Sequence, residues 1–152
     1  MIIQADKESY IKDMADIYNS ANLLFSEKER GAAATPDLFW RQWEQDENYL
    51  YVDEKNEVKG FMPYKEYETY CELTSLYIRL ECQNEGIGAR LLLYFEEKCS
   101  GKCKIIDVLN NAPWALRFYQ KNGYAVITDE VIESHSTMNM KRHPWSTVLY
   151  KE

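Results

Sequence analysis

The segment Gln83–Arg90 reads QNEGIGAR, with two glycines one residue apart and the leucine run Leu91-Leu92-Leu93 directly after. Glycine is costly inside a helix and useful where a backbone must turn tightly or approach something closely. The first N–H groups of a helix have no partner within it and lie at the positive end of its dipole. A glycine turn that opens a helix is therefore a candidate anion site, phosphate above all. As a plain strand-to-helix connection, the same turn would need glycine only for its geometry. Its surroundings constrain the fold. CELTSLYIRL reads as a strand, GIGARLLLYFEEKC as a helix with Ile87, Leu91, Leu92 and Phe95 near one face, and KCKIIDVLN as a strand. A strand, a helix and a strand in that order form a βαβ crossover, which implies parallel pairing and a right-handed connection.

Antiparallel signals flank that unit. Met1–Gln4 reads as an edge strand, and Ser9 as the cap of a helix running to about Asn22. SEKERGAAATP reads as a loop. Thr35 and Pro36 are a cap and a first-turn proline for the helix DLFWRQWEQD. Tyr49–Val52 and Val58–Met62 frame the turn DEKN as a hairpin, with Pro63 ending or bending its second strand. NAPWALRFYQKNGY is a helix closed by Gly123, and Tyr124–Thr128 and Ser136–Lys141 read as a last hairpin. The tail HPWSTVLYKE is left as a further extended piece. The expected fold is α/β, of the α+β type: one domain over residues 1–152, with a mixed, mostly antiparallel twisted sheet around a central parallel βαβ unit and flanking helices.

Charge and cysteine usage narrow the partners. The 152 residues carry a formal net charge of -7, which argues against nucleic acid, since phosphate backbones attract basic surfaces. No apolar run approaches the ~20 residues of a membrane helix, and the start MIIQADKESY lacks a signal-peptide pattern. Cys71, Cys82, Cys99 and Cys103 form no C-x-x-C pair, and His135 and His143 lie far along the chain, so the spacing predicts no metal. Reduced cysteines and a cytoplasmic location are expected, although Cys99 and Cys103 flank Gly101 closely enough to leave a bridge open.

A dinucleotide fold is a poor match for the glycine turn. Leu91 stands where its third glycine belongs, and Asp107, at about the right distance for a ribose ligand, lies in mid-strand. A P-loop would need Gly-Lys-Ser/Thr, which Gly88-Ala89-Arg90 lacks. LYIRLECQNEGIGARLL instead resembles the cofactor motif Q/R-x-x-G-x-G/A of the GNAT superfamily of N-acetyltransferases. ALRFYQKNGY resembles the family's second signature through Ala115, Phe118-Tyr119 and Gly123-Tyr124. The resemblance is tight from about Glu72 to Tyr124 and looser elsewhere.

The resemblance implies acetyl-CoA as co-substrate, with no metal. Its pyrophosphate would rest on the backbone of Gln83, Asn84, Glu85, Gly86, Ile87, Gly88, Ala89 and Arg90, and its pantetheine along Leu76, Tyr77 and Ile78, where the strand would splay at a bulge. A backbone N–H near Ile78 would polarise the thioester carbonyl. Ala115 and Tyr119 would complete the cofactor site, and Tyr119 would protonate the departing thiolate. Glu72, six residues before Ile78, matches the strand carboxylate many members use as a base. Many members carry asparagine where this chain has Ala112, so Asn110 or Asn111 is left to substitute, Asn111 by preference. The expected acceptor is a primary amine of a small molecule or peptide, attacked directly in a ternary complex. It would approach past Phe39, Trp40, Trp43, Tyr64, Tyr67 and Tyr70, with Glu66 and Glu68 interleaved, although the tryptophans read more readily as core. A monomer or homodimer is expected. A non-catalytic acyl-CoA-binding module is the alternative, with a dinucleotide-binding protein behind it.

Overall fold

In the computed structural model, which describes residues 1–135, 138, 140 and 142–152, the glycine turn stands where a sheet comes apart. The elements run β1 (Ile2–Gln4), α1 (Lys7–Ala21), α2 (Pro36–Trp43), β2 (Glu47–Val52), β3 (Val58–Glu66), β4 (Tyr70–Leu73), β5 (Tyr77–Ile78), α3 (Ile87–Lys98), β6 (Cys103–Leu109), α4 (Pro113–Lys121), β7 (Ala125–Val126), α5 (Asp129–Ser134) and β8 (Ser146–Lys151). They build an 8-stranded sheet ordered β1-β2-β3-β4-β6-β8-β7, with β5 paired to β3. Among the described residues only β4 and β6 pair in parallel, around the crossover helix α3, as expected for the βαβ unit.

Alternation along the strands sorts the core between two faces. Met62, Tyr64, Cys71, Leu73, Ile106, Val108 and Leu149 turn to one face, under Leu91, Leu92 and Phe95 of α3 and Tyr119 of α4. On the other face, α1 and α2 cover β2 and β3 with Met14, Ile17, Phe39, Trp43 and Phe61. Tyr70, Ile105, Ile127 and Val148 form a third cluster near α5. Trp43 of α2 is therefore core, and Tyr64 with it, while Trp40 packs half-buried against the same cluster as Trp43.

The strand expected as CELTSLYIRL is broken. Thr74 and Ser75 both donate their N–H groups to the carbonyl of Pro63, at 3.1 and 3.4 Å. The register against β3 slips by one residue between the pair Tyr64↔Leu73 and the pair Phe61↔Tyr77. This is a β-bulge, and it bends the strand. Pro63 lies within β3 instead of ending it. Its N and C=O point to the same edge, so the donor it lacks is the one that would face the bulge, where the ladder is already irregular.

Several boundaries differ from expectation for local reasons. Asp6, not Ser9, caps α1, accepting from the Ser9 N–H at 2.8 Å, so the helix starts earlier. α2 stops at Trp43, because the Asn48 side chain donates to the carbonyls of Trp43 and Asp46. The turn expected after β7 holds the short helix α5, capped by Thr128. Four residues of the strand expected over Ser136–Lys141 lie outside the described residues, and β7 pairs instead with β8 in the tail. The four cysteines are free and buried. No helix among the described residues is long and apolar enough to cross a membrane.

Candidate active site

Beyond the bulge, β5 stays with β3, while β6 runs on to Leu109 beside β8. The last parallel pair is Glu72↔Ile105, and past it the two strands part. The Arg79 N–H donates to the Lys59 carbonyl at 3.0 Å. In an antiparallel ladder this makes Ile78, one residue earlier and opposite Gly60, a non-hydrogen-bonded position toward β3. The N–H and C=O of Ile78 therefore point away from β3 into the opening, where the carbonyl meets Gln83 Nε2 at 3.5 Å.

A cleft of about 510 Å³ follows this opening, between the starts of α3 and α4 and the residues at the end of α1. Of the residues expected to hold the cofactor, Leu76, Tyr77, Ile78, Gln83, Asn84 and Gly86 line it, together with Ile87, Gly88, Ala89, Ala115 and Tyr119. Asn84 and Gly86 take left-handed φ of 66° and 78°. A Cβ on Gly86 would touch nothing of the chain within 4 Å, so within the protein this glycine serves the turn's left-handed conformation. A Cβ on Gly88 would lie 3.4 Å from the Phe118 ring and 3.8 Å from Ile78, ordinary van der Waals contact, so the protein itself has room for a methyl group there.

Three expected residues stand outside the cleft lining. Glu85 is exposed. The Arg90 N–H is already bonded to the Gly86 carbonyl at 3.1 Å, and its guanidinium reaches the Tyr51 hydroxyl at 2.8 Å. The open N–H groups at the start of α3 are thus those of Ile87, Gly88 and Ala89. Asn111 is exposed and faces Glu29, while Asn110 is bound to Pro144 and Thr147 of the tail. Neither lines the cleft.

Glu72 and Tyr119 stand on opposite faces of the sheet, beside the line where β5 and β6 part. Glu72 lines a second pocket of about 320 Å³ with Tyr67, Tyr70, Asp107 and His143. Burial above all, then the carboxylates of Asp46 and Asp107, pushes the Glu72 carboxyl above its ordinary value, against the opposing pull of Lys65 and the Tyr67 hydroxyl. The Asp46 side chain is 1% exposed and accepts from the Thr74 hydroxyl at the bulge, 2.5 Å away. Tyr119 is 4% exposed, and its ring packs against Phe118 and Tyr124. Burial, then Tyr77, pushes its phenol well above the usual range, so the hydroxyl keeps its proton.

Sequence reasoning missed several of these residues. Asp107 was set aside as a ribose ligand, although an acidic residue in the otherwise apolar run IIDVL marks a strand face that is not closed core. His143 and Lys121 join the two pockets only through tertiary structure. Gly60 carried no local signal. A Cβ there would meet Ile78 Cδ1 at 2.8 Å, Leu91 Cδ1 at 3.0 Å and Ile87 Cγ2 at 3.2 Å, so it is what lets β5 and α3 close over β3. Since these contacts come from β5 and α3 at once, Gly60→Ala should cost about 1–3 kcal/mol in urea unfolding. An unchanged midpoint would mean the cleft wall yields freely.

The model of the acetyltransferase (GNAT) domain family matches residues 25–142. A comparison with curated protein sequences finds no match. An acetyltransferase from Thermus thermophilus shares the fold at a TM-score of 0.76 and 16% identity, covering 99% of this chain and 96% of its own. A GNAT-family acetyltransferase from Staphylococcus aureus gives 0.74 and 17%, covering 99% and 97%. A phosphinothricin acetyltransferase from Sinorhizobium meliloti, solved with AcCoA, gives 0.72 and 14%, covering 99% and 86%. With the glycine turn, the parted strands and the cleft between them, the family match over most of the chain establishes that it belongs to the GNAT acetyltransferase family.

Proposed function

We propose that the protein transfers an acetyl group from acetyl-CoA to the primary amine of a small molecule or peptide, by direct attack in a ternary complex. The observation that carries this reading is the cleft itself. At one end the Ile78 N–H and C=O face the opening, and at the other the first N–H groups of α3 are free. The helix start suits a pyrophosphate, and the open strand edge suits an amide-bearing chain that pairs like an added strand. Acetyl-CoA fits both, and it supplies an activated thioester.

The chain's own residues supply binding and proton transfer. Ile87, Gly88 and Ala89 hold the phosphates through backbone N–H groups, which cost nothing to reorganise. The Ile78 N–H polarises the acetyl carbonyl. Tyr119, kept protonated, donates to the leaving sulfur. Glu72 takes the amine proton, directly or through water. The acceptor sits in the second pocket, with the stacked rings of Tyr67 and Tyr70, 4.4 Å between centroids, on one side and Asp107 and His143 on the other. Aromatic faces and carboxylates together suit a cationic amine.

Acetyl-CoA should raise the melting temperature, by about 2.7 kcal/mol of added stability at a hundredfold excess over Kd, and NAD should not. Gly88→Val should abolish that shift, because Gly88 lines the cleft and valine adds bulk there beside Phe118, and the unliganded variant should still unfold cooperatively. Stabilisation by NAD and not by acetyl-CoA would refute the reading. Free CoA release across an amine panel separates an enzyme from an acyl-CoA-binding module: binding without release on any amine favours the module.

A further inference from the structure

Cys103, His135 and Glu152 are scattered in sequence and meet in space. Lys104 pairs with Lys151 in the antiparallel β6–β8 ladder, so Cys103 at the start of β6 lies opposite Glu152 just past β8. His135 is the C-cap of α5, the helix that lies beside this cluster of the core. One sulfur, one ring nitrogen and one carboxylate oxygen come within 4.8 Å of one another. His135 Nε2 is already 3.8 Å from Glu152 Oε1.

We propose that these three side chains form a binding site for one divalent transition metal, with zinc favoured by the donors. Zinc takes sulfur at about 2.3 Å and nitrogen or oxygen at about 2.0–2.2 Å in a tetrahedron, so its ligand atoms stand roughly 3.3–3.8 Å apart. His135 and Glu152 stand 3.8 Å apart, a few tenths of an ångström beyond the about 3.3–3.5 Å of a nitrogen–oxygen pair on one zinc. Glu152, exposed and at the end of a strand, is free to supply the remaining contraction. The mixture of thiolate, imidazole and carboxylate suits zinc over calcium or magnesium, which prefer oxygen alone. Charge balances: the thiol gives its proton to solvent on binding, and thiolate with carboxylate offsets the ion's two positive charges. The fourth position would hold water. The ion would tie the end of α5 to two sheet strands, away from the end of β6 where the acetyl-transfer cleft opens. Without it, the same atoms are a buried thiol beside a His135–Glu152 contact.

The test is a titration of chelator-stripped protein with cobalt(II), a spectroscopic stand-in for zinc, under reducing conditions. One equivalent should bind with a thiolate-to-cobalt charge-transfer absorption that zinc bleaches and that Cys103→Ser lacks. His135→Ala and Glu152→Gln should weaken binding by about tenfold or more. Cys71→Ser, at another buried cysteine, should leave the absorption unchanged. Should Cys103→Ser fail to fold, Cys103→Ala and the two other ligand variants carry the comparison. Absence of the charge-transfer absorption in the wild type, or its persistence at full strength in His135→Ala and Glu152→Gln together, overturns the site. Because the readout is optical, the proposal stands or falls independently of acetyl transfer.

Discussion

Glu72→Gln should lower kcat/KM for the acceptor amine by about 10² to 10⁴, the usual contribution of a positioned general base. An alkylamine has pKa near ~10, so at neutral pH almost all of it is protonated and cannot attack. In the wild type the acidic limb of the pH profile should lie above the ordinary carboxylate value, because burial and the Asp46 and Asp107 charges raise the Glu72 carboxyl. The variant should lose that limb and climb toward alkaline pH, where solvent supplies the deprotonation. Stability should move the other way. A carboxyl whose folded pKa is raised binds more protons folded than unfolded, so ionised Glu72 weakens the fold once the pH exceeds its unfolded value. Glutamine removes that cost, so the melting temperature at neutral pH should hold or rise. The acetyl-CoA shift should persist, since Glu72 lies on the face opposite the cofactor cleft. An unchanged pH profile would remove Glu72 from the mechanism.

The parts legible in sequence are those whose chemistry is local. QNEGIGAR announced a turn into a helix because glycine, helix start and flanking strands all lie within one stretch. Gly123 closed α4 with φ 90°, as its place after the apolar stripe implied. What stayed hidden depends on pairing. STVLYKE reads as extended, but nothing in it names its partner until it is seen filling the edge of β6. Thr128, a helix cap at the head of α5, was read into a strand because the residues before it are β-branched and apolar. The bulge at Thr74 was expected only through resemblance, yet its physical cause is in the sequence: a proline at 63 cannot donate, so the strand opposite must deform there. The second pocket draws Tyr67, Asp107 and His143 from three segments, and no spacing in one dimension encodes that convergence.

Tyr119→Phe should lower kcat by about 10², the lower end of what general acid catalysis contributes, because a thiolate is already a fair leaving group. Phenylalanine keeps the ring, so its packing against Phe118 and Tyr124 survives. The acetyl-CoA shift in melting temperature should change little, since binding rests on the backbone of Ile78 and of the first turn of α3. KM for the amine should also hold, because Tyr119 stands on the face away from the acceptor pocket. The basic limb of the kcat profile should not fall in the neutral range in the wild type, because burial holds the phenol protonated far above it. Near-full turnover in Tyr119→Phe would end the assignment of Tyr119 as proton donor. A large fall in melting temperature with kcat preserved would instead make its hydroxyl a structural group. The loss expected here is in kcat alone, which is the signature of an interaction made only as the sulfur departs.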